Sequence, residues 1–197
     1  MIEQLINWDK SLLLFLNGLH TPFWDFLMYW VSYKFTWVPF YLFLLFLVIK
    51  NYKIRTIDVL IGAALLVACT DLSSYYLFKE IFHRLRPCHD PVIKDMVHLV
   101  NGECGGLYGF VSSHAANTFG VCFFIINILG KKVRYLIPVM IVWASVVSYS
   151  RIYLGAHYPL DVICGAMIGI LFGSVIGKTF IWYHNKYILN KVNRHKS

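Results

Sequence analysis

The sequence has few charged residues. Asp, Glu, Lys and Arg make up only 14% of its 197 residues, whereas a soluble domain carries about 25%. Hydrophobic residues reach 58%, and the mean hydropathy is +0.61. This composition excludes a soluble globular domain and indicates an integral membrane protein, which we expect to be an all-α bundle.

Internal repeats and low-complexity linkers are also absent, so a single domain over residues 1–197 is expected. The first ten residues lack a basic region and no small-residue cleavage site follows, so no cleavable signal peptide is predicted. Apolar residues recur instead at helical spacing from Ile2 to Leu16. This pattern predicts a helix over about residues 2–18 that lies in the membrane interface, with Trp8 at headgroup level.

Long apolar runs predict about six membrane-spanning helices, because a span needs about 20 mostly apolar residues. The predicted spans are residues 22–33, 35–50, 57–82, 112–130, 133–151 and 158–184. Lys34 separates the first two, and Pro39 follows it closely. One tilted and kinked helix over residues 22–50 is therefore an alternative, which gives five spans.

Basic residues form three clusters, which hold most of the net charge of +8. The clusters are Lys50, Lys53 and Arg55, then Lys131, Lys132 and Arg134, and finally Lys186, Lys191, Arg194 and Lys196. In a six-span chain all three lie on one side, which the positive-inside rule makes cytoplasmic, together with both termini. Charges in these places favour contact with anionic lipid and give no reason to expect nucleic acid as a partner.

Polar residues cluster three times at the outward ends of the predicted helices. In KEIFHRLRP, residues 79–87, Lys79 and Arg86 are two helical turns apart, and Pro87 ends the helix. For Arg84, His83 and Lys94 we expect side chains that extend to the lipid headgroups.

The second cluster lies in GFVSSHAANTFG, residues 109–120. Ser112 and Ser113 stand where a helix should begin, and His114 falls in its first turn. Serine is a good N-cap, and the free amides of a helix N-terminus favour an anion.

The third cluster is SRIYLGAHYPLD, residues 150–161, which holds Arg151, His157 and Asp161. Pro159 suits the first turn of a helix. His157 and Asp161 are four residues apart, so the carboxylate can hold one nitrogen of the imidazole.

Together the three clusters offer cations, amides and two histidines, a set that suits a phosphate group. Cations and amides neutralise its oxygens, one histidine attacks phosphorus, and the other protonates the departing oxygen. No cluster of cysteine, histidine or carboxylate indicates a metal ion.

These residues also resemble the motifs of the type 2 phosphatidic acid phosphatase superfamily. KEIFHRLRP matches its Lys-x6-Arg-Pro motif, and SRIYLGAHYPLD matches its Ser-Arg-x5-His-x3-Asp motif in full. VSSH, residues 111–114, resembles its middle motif Pro-Ser-Gly-His, with Val111 and Ser113 in place of Pro and Gly. These two departures affect the shape of the pocket more than its chemistry.

The resemblance implies a role for each residue and a reaction without metal or cofactor. His157 is expected to form a phosphohistidine, Asp161 to orient it, and His114 to act as the general acid. The residues expected to bind the phosphate are Lys79, Arg86, Ser112, the amide of Ser113, and Arg151.

The resemblance further implies a lipid phosphatase of a bacterial inner membrane. The basic clusters predict that its site lies on the periplasmic or exterior face and its C-terminus in the cytoplasm. Undecaprenyl pyrophosphate is the first candidate substrate, on family frequency alone. Lipid A phosphate is the second, and phosphatidylglycerol phosphate and phosphatidic acid are further alternatives. The sequence leaves the oligomeric state open.

Two further interpretations of the sequence are kept. A non-enzymatic carrier of lipid phosphate would use the same cations, but it would have no need of a histidine held by a carboxylate opposite a second histidine. Cys88 and Cys104 share one outward loop, sixteen residues apart, and are candidates for a disulfide.

Overall fold

The regular structure of the described residues is helical. The computed structural model describes residues 1–102 and 104–194, with side chains as far as residue 186. The helices are α1 (Ile2–Asn17), α2 (Pro22–Ser32), α3 (Val38–Tyr52), α4 (Thr56–Leu72), α5 (Glu80–Phe82), α6 (Ser113–Leu129), α7 (Leu136–Tyr153) and α8 (Pro159–Arg194). A π-helical segment, Ser73–Lys79, joins α4 to α5. The all-α prediction is confirmed.

Three stretches of the described chain are long and apolar enough to cross a membrane, and they do not confirm a count of six spans. They are Lys34–Phe82, Leu136–Tyr153 and Pro159–Lys186. The first contains α3 and α4, which a turn at Lys53–Arg55 separates. Helix α6 is also apolar but shorter.

Helix α6 lies at the centre of the bundle and packs closely on α8. Glycines at every fourth position of α8, Gly165, Gly169 and Gly173, face the α6 backbone. A Cβ atom at any of the three would overlap with a backbone carbonyl oxygen of α6. Small residues at this spacing let membrane helices approach closely. The packing therefore brings the N-terminus of α8 against the N-terminus of α6.

The predicted span at residues 22–33 is not supported. Helix α2 has 11 residues, so it is about 16 Å long, too short for a hydrocarbon core of about 30 Å. Both of its ends contact the same end of α7. Asp25 accepts a hydrogen bond from the Tyr153 hydroxyl at 2.7 Å, and Ser32 accepts one from Arg151. Helix α2 therefore lies across the end of the bundle.

One face of the second half of helix α1 packs on the protein through polar and apolar side chains. Asp9, Leu13 and Asn17 are buried at the spacing of this face. Large apolar residues elsewhere on the helix are exposed, namely Ile2, Leu5, Ile6, Trp8, Leu12 and Phe15. The predicted helix over residues 2–18 is present, and this distribution fits the predicted position in the membrane interface.

The basic clusters meet at the other end of the bundle. The Lys132 ammonium lies 4.0 Å from the centre of the Tyr52 ring, and the Arg55 guanidinium lies 5.2 Å from that of Tyr183. The side chains of the last cluster beyond Lys186 are outside the described residues. Helix α1 packs at the opposite end, where Asp9 accepts a hydrogen bond from Leu160. This position of α1 does not support the expected six-span arrangement, in which the N-terminus lies on the side of the basic clusters, and the short α2 accounts for the difference.

Candidate active site

The middle motif forms the start of α6. Ser112 is the N-cap residue, and its Oγ accepts a hydrogen bond from the Ala115 amide at 3.5 Å. Ser113 is the first helical residue and accepts a hydrogen bond from Lys79 Nζ at 2.9 Å. The predicted start of the helix is therefore correct. The Ser112 hydroxyl is used as a cap, and Lys79 is anchored beside the helix N-terminus.

His157 and Asp161 lie on either side of Pro159, where α8 begins. His157 Nδ1 is 3.6 Å from Asp161 Oδ2, and both side chains are almost completely buried. The same carboxylate oxygen accepts a hydrogen bond from the Tyr158 amide at 3.0 Å. The Asp161 carbonyl accepts one from the Ser112 amide at 3.0 Å, which ties this motif to the start of α6. The distance between Nδ1 and this oxygen exceeds that of a hydrogen bond.

Backbone carbonyls hold the guanidinium of Arg86. It donates to the carbonyls of Tyr108, Cys104 and Ala156, each at 3.3 Å. Ala156 directly precedes His157, so Arg86 is fixed beside the predicted nucleophile. A disulfide joins Cys88 to Cys104, which contributes one of these carbonyls, and their Cα atoms are 6.1 Å apart. The structure thus has the disulfide that the sequence left open.

A cavity of about 270 Å³ opens beside these groups. His114 and Arg151 line it together with Ala156. Arg151 Nη1 donates a hydrogen bond to Ser32 Oγ, so α2 positions this cation. The eight predicted site residues therefore lie together at one end of α4–α5, α6, α7 and α8, although they come from three distant parts of the sequence.

The surroundings keep the imidazole of His157 neutral. Burial lowers the pKa of His157 well below its usual value, and the positive charges of Arg86, Arg151 and Lys79 lower it further. Burial also lowers the pKa of Arg86, although a guanidinium stays charged at any physiological pH. A neutral imidazole has a free lone pair, which is the form that the predicted role of His157 requires.

Sequence reasoning missed two members of the site. Arg84, expected to extend toward the headgroups, donates instead to Asp161 Oδ1 at 2.6 Å and to Asp9 Oδ2 at 2.6 Å. Its guanidinium also lies 4.0 Å from the centre of the Tyr158 ring. Asp9 comes from α1 and is 4% exposed. The sequence did contain a signal for Asp9, because this acidic residue is one helical turn before Leu13 and shares its face of the helix.

Residues of α2 and of the short helical segment after it complete the cavity. Tyr29, Ser32, Tyr33 and Lys34 line it opposite His114. Within the described part of the chain Lys34 makes no ion pair, and its ammonium lies 5.1 Å from the centre of the Phe35 ring. The cavity therefore has a second, aromatic and cationic wall next to the phosphate-binding residues.

Among the described residues, two groups of possible metal ligands lie outside the set of eight site residues. Cys88, His89 and Cys104 form one, in which both thiols belong to the disulfide. His20, Asp25 and His98 form the other. There His98 Nε2 is 2.9 Å from Asp25 Oδ2, and the two imidazoles are stacked with their planes 7° apart. Stacked rings cannot direct their in-plane lone pairs at one ion, so this arrangement fits a hydrogen bond between His98 and Asp25 better than a metal site.

Comparison with known proteins agrees with this geometry. The sequence pattern of the PAP2 superfamily matches residues 55–186. Over 171 residues the chain is 41% identical to a lipid A 4′-phosphatase of Bacteroides thetaiotaomicron, covering 86% of this chain and 75% of that one. Over 191 residues it is 33% identical to a lipid A 4′-phosphatase of Porphyromonas gingivalis, covering 95% of this chain and 79% of that one.

A solved structure shares the fold. The PAP2-type phosphatidylglycerolphosphate phosphatase of Bacillus subtilis superposes with a TM-score of 0.67, covering 91% of this chain and 87% of that one. The two sequences are 20% identical, so this likeness concerns the fold.

Proposed function

The chain belongs to the PAP2 superfamily and is a phosphatase that hydrolyses phosphate monoesters of lipids, and we propose that it removes the 4′-phosphate of lipid A. This choice of substrate rests on the similarity of the chain to two lipid A 4′-phosphatases along most of their length. This reverses the order of the sequence analysis, which placed undecaprenyl pyrophosphate first on family frequency. No residue of the site favours that pyrophosphate.

The geometry supports the following reaction. Lys79, Arg86 and Arg151 bind the non-bridging oxygens of the phosphate at the N-terminus of α6, with the Ser113 amide. The Nε2 lone pair of His157 forms a bond to phosphorus while the bond from phosphorus to the sugar oxygen breaks. His114 donates a proton to that oxygen, so the dephosphorylated lipid leaves as an alcohol.

The second half of the reaction regenerates the enzyme. Water attacks the phosphohistidine, and the His114 imidazole, now neutral, takes the proton from that water. Inorganic phosphate leaves, and His157 returns to its neutral form. Asp161 stabilises the positive charge that the phosphorylated imidazole carries while its Nδ1 keeps a proton.

The cavity offers room for a sugar headgroup beside the phosphate. Lipid A presents a phosphorylated glucosamine disaccharide, and Tyr29 and Tyr33 provide aromatic faces opposite His114. Lys34 adds a cation on the same wall. A prenyl pyrophosphate has no sugar to place against this wall, so the wall favours the lipid A proposal.

We place the site on the outer face of a bacterial inner membrane, because the two basic clusters whose side chains are described lie at the opposite end of the bundle. Lipid A that has been moved to the periplasmic leaflet would then reach the cavity from within the membrane. The predicted interfacial position of α1, with its apolar side exposed, belongs to the same leaflet.

The test is phosphate release by the purified protein from a panel of lipids in EDTA. The panel holds bisphosphorylated lipid A, its two monophosphorylated forms, undecaprenyl pyrophosphate, phosphatidylglycerol phosphate and phosphatidic acid. We expect the highest kcat/KM on lipid A that carries the 4′-phosphate, with no release from the form phosphorylated only at position 1. A higher kcat/KM on undecaprenyl pyrophosphate would refute the proposal that lipid A is the substrate. Binding of these lipids without any phosphate release would favour the carrier function.

A further inference from the structure

We propose that Asp9 of the N-terminal helix is a positioning residue for catalysis, which acts on His157 through Arg84 and Asp161. The inference rests on the proposed role of His157 as the nucleophile. It assigns a catalytic purpose to α1, a helix that lies before the part of the chain matched by the PAP2 pattern.

The contacts form a continuous chain between buried groups. Asp9 Oδ2 accepts a hydrogen bond from Arg84 Nη2 at 2.6 Å, and Asp161 Oδ1 accepts one from Arg84 Nη1 at 2.6 Å. The side chains of Asp9 and Asp161 are 1% and 0% exposed. Asp161 Oδ2 then faces His157 Nδ1 at 3.6 Å. Each carboxylate thus uses one oxygen for Arg84.

The second oxygen of each carboxylate is held by the start of α8. Asp9 Oδ1 accepts a hydrogen bond from the Leu160 amide at 2.9 Å, and Asp161 Oδ2 accepts one from the Tyr158 amide at 3.0 Å. Asp9 therefore satisfies one of the free amides at the N-terminus of α8, the helix that carries Asp161. A displacement of Asp9 would move both the guanidinium and the helix start that together fix the Asp161 carboxylate.

The charges of the chain suit the reaction. Two carboxylates and one guanidinium carry a net charge of −1 while His157 is neutral. When His157 takes up the phosphoryl group and its ring becomes positive, the four side-chain groups become neutral together. Without the charge of Asp9, the guanidinium would be balanced by Asp161 alone, and less negative charge would remain to stabilise the imidazole.

The test separates catalysis from binding with Asp9→Asn, which keeps the size of the side chain and removes its charge. We expect kcat to fall by about 10–100-fold. Removal of the side chains that orient a metal-binding histidine in other enzymes has effects of this size. KM and inhibition by vanadate should change less than about 2-fold, because the phosphate-binding cations are untouched. The matched control is Asp58→Asn, which removes a carboxylate paired with Arg55 at 2.5 Å at the other end of the bundle and should leave kcat unchanged.

A double-mutant cycle with Asp161→Asn tests the route of the effect. If Asp9 acts through Asp161, adding Asp9→Asn to Asp161→Asn should lower kcat by less than about 2-fold. Two losses that multiply would mean that Asp9 acts elsewhere, and an unchanged kcat of folded Asp9→Asn would refute the proposal outright. Should Asp9→Asn fail to fold, Arg84→Lys replaces it in both measurements, because an ammonium lacks the planar fork that bridges two carboxylates.

Trapping of labelled phosphoprotein tests the role of His157 separately from the role of Asp9. A parent protein that forms no acid-labile phosphohistidine would overturn the role of His157 and this inference with it. A parent that forms it, beside an Asp9→Asn variant that forms it equally fast, would overturn this inference alone.

Discussion

Replacing either histidine by alanine is expected to stop hydrolysis of the lipid substrate, but the two variants should differ toward a substrate with a better leaving group. His114 is proposed to protonate the departing oxygen, whereas His157 is proposed to form the bond to phosphorus. An aryl phosphate releases a phenolate that needs little protonation. It should therefore restore turnover in His114→Ala and fail to restore it in His157→Ala.

The size of each effect follows from the role. A general acid contributes about 10²–10⁴-fold, or about 3–5 kcal/mol of barrier, and this is the loss expected for His114→Ala on lipid A. On the aryl phosphate, the rate of His114→Ala should come within about 10-fold of the parent rate, because the leaving phenolate needs little protonation by a general acid. The His157 imidazole is only 2% exposed beside the cations, and the nearby Cys104 sulfur is held in a disulfide. The Ser112 hydroxyl caps α6 and the Ser113 hydroxyl accepts a hydrogen bond from Lys79. Neither is activated by a general base in the proposed mechanism, so His157→Ala should lose activity on both substrates.

The assay combines steady-state release of phosphate with rapid quench of labelled substrate. The parent and His114→Ala should both yield acid-labile, base-stable phosphate on the protein, and His157→Ala should yield none. Thermal unfolding in detergent shows whether each variant is folded. A folded His157→Ala that hydrolyses lipid phosphate near the parent rate would refute the mechanism and leave the site as a binding cluster. Equal rescue of both variants by the aryl phosphate would refute the division of roles.

Four further predictions address the surroundings of the site. Lys34→Gln should raise KM for lipid A about 5-fold, which corresponds to a loss of about 1 kcal/mol of binding free energy, and should leave KM for the aryl phosphate unchanged. Lys94→Gln is the control. Equal effects of Lys34→Gln on both substrates would contradict a contact between Lys34 and the headgroup. Changing Cys88 and Cys104 to serine should cost about 3 kcal/mol of stability, measured by thermal unfolding, whereas an unchanged midpoint would show that the disulfide is absent or without effect. Because the pKa of His157 is held below its usual value, the unfolded chain binds this proton more readily, so stability should fall as the pH drops below about 6.5. His157→Gln should show a shallower fall, and an identical profile would count against the depressed pKa. Reporters at the N-terminus and in the loop before α6 should both score external and one at the C-terminus cytoplasmic; an internal N-terminus would contradict the position of α1.

The site could be predicted from the sequence because its chemistry depends on local spacing. His157 and Asp161 are one helical turn apart, and Ser112 begins a helix because a serine at that place can cap it. Such patterns hold within a few residues, so they are visible in the sequence even though three distant segments must meet to build the pocket.

Arg86 is an exception, because the helix was expected to continue to Pro87 but ends at Phe82 with His83 in the left-handed conformation. Arg86 therefore follows the helix in extended backbone and reaches the site through its contacts with backbone carbonyls.

The contacts of Arg84 could not be predicted, because its partners are far away in the sequence. Hydropathy describes Arg84 only as a cation near a membrane end, for which extension to the headgroups is the common outcome. Its two carboxylates lie 75 and 77 residues away along the chain. Only the close packing of α6 on the glycines of α8, together with the position of α1, places them beside its guanidinium.

The span at residues 22–33 failed for a related reason. Its sequence is as apolar as a crossing helix, yet 11 residues cannot cross the bilayer, and Asp25 and Ser32 face α7. An apolar composition shows that a helix contacts apolar surroundings. It does not distinguish a helix that lies at the membrane interface from one that crosses the hydrocarbon core. Length and the positions of the few polar residues decide between them.

Helix α1 is held at this end of the molecule by both apolar and polar contacts. Leu13 is fully buried in a hydrophobic cluster with Ile152 and Tyr158. Asn17 donates hydrogen bonds to the carbonyls of Tyr153 and His98 at 2.6 and 2.9 Å, and Lys10 pairs with Asp90 at 2.7 Å. With the pair of Asp9 and Arg84, these contacts join α1 to the ends of α7 and α8 and to the loop before α6. If α1 lies in the membrane interface as predicted, the lipid contacts of its exposed apolar residues and the contacts of its buried face with the site require the same placement of the helix. We therefore expect the membrane to help to hold Asp161 beside His157.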